Sequence, residues 1–189
     1  MKKINVIIVN GKPRSGKDTV IKMIKEYCDV DECAIVHHYS TIDPVKDAFR
    51  ALGWDGNKTK DVRDTLSALK KLWIDSCDGP LRLCMDKIFA SVNNRLDDDE
   101  IIIFQIREPE EIDKLVNAIM PIKRAYGLNV TTLLVSRLEA DKEEYNNNSD
   151  TCVSNYTYDE EIVNNGTLEQ LRETTNRYVK RLMEGKYER

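Results

Sequence analysis

Residues 11–19 read Gly-Lys-Pro-Arg-Ser-Gly-Lys-Asp-Thr, a run whose residue types suit the binding of a chain of phosphates. Gly11 and Gly16 permit a tight bend that turns backbone N–H groups inward, with Lys12, Arg14 and Ser15 carried on the loop between them. A helix starting at the second glycine adds the positive end of its dipole to the same concavity. Lys17 follows that glycine, where an ammonium reaches the oxygens between the β- and γ-phosphates and follows the charge that develops in transfer. Asp18 stands where a Ser or Thr hydroxyl usually meets magnesium, and Thr19 comes one place later. The Asp18 carboxylate either holds that metal, directly or through water, or is a helix-start acid placed for the dipole.

Such a loop works only between a buried strand and a helix, and the flanking residues supply both. Ile4, Val6, Ile7, Ile8 and Val9 form an apolar run before it, and Val20, Met23, Ile24 and Tyr27 repeat at helical spacing after it. Further strands are expected at Ala34–Tyr39, Ile101–Ile106, Val130–Val135 and Glu161–Val163. Helical faces recur at Ile112, Leu115, Val116 and Ile119 and at Leu168, Leu171, Tyr178 and Leu182. Strands alternating with helices predict an α/β fold, a three-layer arrangement with a five-stranded parallel sheet whose ligands sit at the strands' carboxyl ends.

Two segments break the alternation. About sixty residues separate the second and third strands, too many for one crossover helix. They carry helical patterns at Val62, Leu66, Leu69 and Trp73 and at Leu81, Cys84, Ile88 and Val92. Residues 40–96 are therefore expected to form a helical insert on the acceptor side. Residues 138–158 are polar, with Asn146-Asn147-Asn148-Ser149-Asp150 at their centre. They read either as a surface loop or as a lid that closes over the phosphates and excludes water.

The chain of 189 residues is expected to be a single domain, with a formal net charge of −4. That balance, with a pI near 5.4, argues against nucleic acid as a partner. No stretch reaches the apolar length of a membrane span, and Met1 leads through Lys2 and Lys3 straight into the first strand, so a cytoplasmic protein is expected. Five cysteines fit a reducing compartment. Cys28, Cys33, His37 and His38 do not read as a zinc site. Cys28 falls on the apolar helix face, and adjacent strand histidines point to opposite sides.

The loop resembles that of phage-type deoxynucleoside monophosphate kinases, which also runs Arg-Ser-Gly-Lys-Asp-Thr. Other segments resemble that family in order along the chain: Asp43-Pro44-Val45-Lys46-Asp47-Ala48, Gln105-Ile106-Arg107-Glu108-Pro109, Leu134-Val135-Ser136-Arg137, and Ile162-Val163-Asn164-Asn165-Gly166-Thr167-Leu168. The resemblance implies a P-loop kinase that uses ATP and Mg2+, in which Asp43, Lys46 and Arg107 bind the acceptor and Arg107 holds its phosphate. It implies that Arg137 approaches the transferring group from the base of the lid, and that the Asn165-Gly166 turn lies beside the donor's adenine. Apart from any family, a guanidinium is a permanently charged fork matched to phosphate oxygens, so arginines at two strand ends can converge on one phosphate pair. Gln105 departs from the family, which places an acid there. Either Asp18 supplies the missing carboxylate or the acceptor differs.

The expected activity is transfer of the γ-phosphoryl group of ATP to a nucleoside or deoxynucleoside monophosphate, with Lys17, Arg14, Arg107 and Arg137 supplying charge stabilisation. Animal-type phosphomevalonate kinases carry a similar Ser-Gly-Lys-Asp loop, so a non-nucleotide phosphorylated acceptor is the alternative, and a nucleotide-binding regulator is a third. Asn57-Lys58-Thr59-Lys60-Asp61 has one residue too many for a guanine-reading motif. Trp54, Trp73 and Tyr39 are either rings for an acceptor base or core.

Overall fold

The computed structural model describes residues 2–57, 59–94, 97–141 and 152–185. Strands β1 (Ile4–Asn10), β2 (Ile35–Ser40), β3 (Glu100–Gln105), β4 (Leu128–Ser136) and β5 (Glu160–Val163) form one sheet in the order β2-β3-β1-β4-β5, with every pairing parallel. Helices α1 (Lys17–Asp31), α2 (Asp43–Ala51), α3 (Lys60–Cys77), α4 (Gly79–Asn93), α5 (Pro109–Ile119), α6 (Lys123–Tyr126), α7 (Leu138–Asp141) and α8 (Leu168–Met183) connect or follow them.

The central strand β1 is buried at every residue, which is why it reads as a nearly continuous apolar run, interrupted only at Asn5, rather than an alternating one. Its alternation instead divides the core. Ile7 and Val9 pack with Val20, Ile24, Leu171 and Tyr178 of α1 and α8 on one face. Ile4, Val6 and Ile8 pack with Cys84, Ile88, Ile112 and Leu115 of α4 and α5 on the other. Helices on both faces of a parallel sheet leave the carboxyl ends of the strands as the open edge. The pairings Val9 with Gln105, Ser40 with Gln105, Asn10 with Leu134, and Ser136 with Val163 bring all five ends to one level.

The strand limits differ slightly from expectation. β2 runs on to Ser40, and β4 starts two residues early, directly after Gly127 takes the left-handed conformation that ends α6. Leu168 departs more. It is the first residue of α8, 65% exposed, and lies on the open edge rather than in the core. Cys28 is core, 1% exposed, and burial raises its thiol pKa. Residues 40–96 contain α2, α3 and α4. Of the expected lid, residues 142–151 lie outside the described residues. The flanking parts are α7 and a single 3₁₀ turn at Cys152–Asn155. Among the described residues no helix is long and apolar enough to cross a membrane.

At the opposite, amino-terminal end of the sheet, Glu100 is fully buried. Its Oε1 accepts from Lys2 Nζ at 2.6 Å and from Asn94 Nδ2 at 3.2 Å. Burial pushes its pKa up, but the hydrogen bonds and the Lys2 charge win and hold it below the usual 4.5. A carboxylate depressed in the folded state stabilises the fold above its unfolded pKa and loses that contribution as pH falls through its folded one. Glu100→Gln leaves Lys2 without its buried counter-charge and is expected to lower stability at neutral pH by about 3 kcal/mol. In urea titrations the gap between wild type and variant narrows as pH falls below the ordinary carboxylate value and closes only where folded Glu100, held below that value, itself takes up a proton. A gap constant across that range contradicts the assignment.

Candidate active site

The loop leaves β1 at Asn10 and enters α1 at Lys17, and glycine is required at both of its bends. Gly11 has φ +152°, and a Cβ there would lie 2.3 Å from the backbone oxygen of Val135 in β4. Gly16 has φ +100°, and its Cβ would lie 2.4 Å from Asn164 Nδ2. Between them Ser15 N donates to the Lys12 carbonyl at 3.2 Å, and Arg14 takes a positive φ of 62°. Gly16 also begins α1, and among the described residues no side chain caps that helix. Its first N–H groups therefore face the open edge, an arrangement that favours anions.

Lys17 Nζ donates to the carbonyls of Gly11 and Lys12 at 2.5 and 2.7 Å, so its ammonium is held across the mouth of the bend. Asp18 and Thr19 follow on the first turn of α1. Asp18 Oδ1 accepts from Gln105 Nε2 at 2.7 Å, which joins the first turn of α1 to the end of β3. A carboxylate and a hydroxyl beside a phosphate loop are hard oxygen donors of the kind magnesium takes, so the residues present fit that ion.

A cavity of about 480 Å³ opens beside the loop, lined by Arg14, Gly16, Lys17, Asp18, Thr19, Arg137, Asn164, Gly166, Leu168 and Leu171. Its walls are cationic and polar on the loop side and apolar at Leu168 and Leu171. Arg137 directly follows β4 and pairs with Glu139 at 2.5 Å. Asn165 Oδ1 accepts from Leu138 N at 2.8 Å and so ties the Asn165-Gly166 turn to the segment after β4. A second cleft of about 240 Å³, on the other side of Arg137, is lined by Lys12, Ser15, Tyr156, Tyr158 and Glu161 among others. Burial, then Asp113, raises the pKa of the Tyr156 phenol to about 12, and burial raises that of Tyr158. Both hydroxyls are therefore neutral at physiological pH.

The acceptor-side residues are more dispersed. Arg107 follows β3 at the open edge, exposed, with its backbone oxygen accepting from Asn10 Nδ2 at 3.1 Å. Asp43 and Lys46 pair with each other at 2.7 Å on the first turn of α2. The three candidate stacking rings pack against protein. Trp54 stacks on Phe49 with ring centroids 5.3 Å apart, and Trp73 lies over Gly79. Tyr39 packs against Phe104 at 5.9 Å, with Lys87 Nζ 4.9 Å from its ring centroid.

Three residues that spacing alone did not single out hold this edge together. Asn10, fully buried, accepts from Gly11 N through Oδ1, and its Nδ2 donates to the Arg107 carbonyl and to Tyr158 Oη at 2.8 Å. Asn164 Nδ2 donates to the Ser15 carbonyl at 2.9 Å, pinning the loop from the end of β5. Lys70 of α3 is 6% exposed, and its Nζ reaches Glu108 Oε2 at 2.6 Å and Thr41 Oγ1 at 3.1 Å. Two of the three carried a signal in the sequence. An amide ends the apolar run of β1, and a lysine sits between Leu66 and Trp73 on the buried stripe of α3.

No family model and no curated protein sequence matches the chain. Among solved structures it is similar to the APS kinase CysC of Mycobacterium tuberculosis, in a cysteine-to-alanine mutant form. That likeness is at 9% identity, covers 95% of this chain and 99% of that one, and has a TM-score of 0.50. It is similar to the protein APE1195 at 16% identity, with 97% and 98% of the two chains covered and a TM-score of 0.50. A gluconokinase from Sinorhizobium meliloti 1021 aligns over 99% and 98% of the chains at 14% identity, with a TM-score of 0.47. At such identities the likeness is one of fold. The five-stranded parallel sheet, the helices on both faces and the loop after β1 make this a P-loop NTPase fold.

Proposed function

We propose that the chain is an ATP-dependent phosphotransferase that moves the γ-phosphoryl group of ATP onto a small phosphorylated acceptor, a nucleoside or deoxynucleoside monophosphate. The observation that carries this is Lys17 held across a bend built on Gly11 and Gly16, at the uncapped start of α1 and beside a cavity of about 480 Å³. The loop N–H groups and Lys17 bind the phosphates, and Leu168 and Leu171 offer an apolar wall to the adenine beside the Asn165-Gly166 turn. Asp18 and Thr19 would hold magnesium, which would supply positive charge to offset that of the phosphates. Arg14 and Arg137 line the donor cavity, and Arg107 stands at the end of β3 toward the insert at 40–96, which we assign to the acceptor. Asp43 and Lys46 belong to that side. An acceptor phosphate is already ionised, so positioning and charge stabilisation are nearly all that the reaction asks of these residues. Residues 138–158 are assigned as the lid.

A second reading keeps the chemistry and changes the acceptor to a non-nucleotide metabolite. It is favoured by the packing of Trp54, Trp73 and Tyr39 against the protein's own groups and by the amide at Gln105. The APS kinase to which the chain is similar is likewise named for an acceptor other than a nucleoside monophosphate. A panel of nucleoside and deoxynucleoside monophosphates and phosphorylated metabolites, incubated with ATP and magnesium, separates the readings. One monophosphate is expected to raise ADP release at least a hundredfold over water and to yield its diphosphate. Stimulation only by a non-nucleotide transfers the assignment to the second reading, and slow hydrolysis that no acceptor stimulates points to a nucleotide-dependent regulator.

A further inference from the structure

We propose that Gln105 is a positioning residue that aims the Asp18 carboxylate at the metal of the nucleotide complex, a role that rests on the nucleotide-site reading above. The Gln105 amide donates from Nε2 to Asp18 Oδ1 at 2.7 Å, across the gap between the end of β3 and the first turn of α1. An ionised carboxylate only accepts hydrogen bonds, so the amide must present its nitrogen, and this fixes the orientation of both groups. Asp18 is otherwise an exposed side chain free to change rotamer, and ordering it before the ligand arrives reduces the entropy lost on binding.

Gln105 is itself anchored. Its backbone carbonyl accepts from Thr41 N at 3.2 Å and from Thr41 Oγ1 at 3.1 Å. That hydroxyl accepts in turn from the buried Lys70 Nζ, which also binds Glu108. The strand end from which the amide projects is thus tied to β2 and to α3, and a continuous line of polar contacts runs from Lys70 through Thr41 and Gln105 to Asp18. The residue types suit the contact. A carboxylate at position 105 would offer Asp18 only acceptors, whereas an amide supplies the donor.

Calorimetric titration with ATP, in magnesium chloride and separately in EDTA, tests this without any acceptor. Wild type is expected to bind ATP more tightly with magnesium. Gln105→Leu should reduce that magnesium-dependent ratio about tenfold, the lower end of what losing a group that orients a metal ligand costs, and leave affinity in EDTA unchanged. Asp18→Asn should remove the ratio, and Gln105→Leu added to Asp18→Asn should change nothing more. An undiminished ratio in Gln105→Leu, an equal further loss in the Asp18→Asn background, or a wild type indifferent to magnesium overturns the role given to Gln105. A wild type that binds no ATP under either condition overturns the nucleotide-site reading itself, and this inference with it.

Discussion

Replacing Lys17 by alanine is expected to cut ATP-dependent turnover at least a hundredfold while the protein stays folded. The lysine is partly exposed and its Nζ is held by the loop carbonyls of Gly11 and Lys12, so it fills no part of either hydrophobic core. Its worth lies in a charge already in place where charge develops on the phosphates. Loss of one such preorganised donor costs about 2.7 to 4 kcal/mol of transition-state stabilisation. Steady-state assays with the acceptor identified from the panel, beside a thermal melt, read both halves of this expectation. Near-normal turnover, or collapse of the fold, contradicts it.

Gly11→Ala is expected to do the reverse and damage the fold at the point where the loop is built. The new Cβ would sit 2.3 Å from the Val135 backbone oxygen and 2.7 Å from Ser15 Oγ, at a φ that side chains rarely adopt. Val135 cannot retreat, because it pairs with Ile162 in β5 and is fully buried. Strain and collision together are expected to remove about 3 kcal/mol of stability, and ATP binding with it. Gly53→Ala is the control. It shares a positive φ of 101° but has nothing within 4 Å of the added carbon, so it should show the backbone cost alone, about 1 kcal/mol. Urea midpoints for the two variants measure the difference. Equal losses would mean that the approach of β4 to Gly11 is not what fixes the loop.

The elements were legible because their signals are local. The run Ile4 to Val9, the repeat Val20, Met23, Ile24 and Tyr27, and the glycines around Lys17 report strand, helix and bend through periods and backbone preferences that need only near neighbours. The same periodicity misplaced Leu168, since spacing alone does not say that a helix's first residue stands at the open edge of the sheet. The polar scaffold was not legible for a different reason. Asn10 meets Arg107 and Tyr158, Asn164 meets Ser15, and Lys70 meets Thr41 and Glu108, contacts between residues far apart in the chain. Such partners are brought together by strand order, so an amide at a strand end has no meaning until the neighbouring strand is known. Gln105 and Asp18 are the instructive pair. Each departs from a common pattern when read alone, and together they form one hydrogen bond.

The central claim is that the bend between β1 and α1 receives the triphosphate of ATP. Titration calorimetry of the wild-type protein with ATP and magnesium, repeated with adenosine, tests it most directly. The account predicts saturable binding of ATP and at least a hundredfold weaker binding of adenosine, which lacks the phosphates that the loop and Lys17 hold. Equal affinity for ATP and adenosine, or no binding of ATP at millimolar concentration, would contradict it.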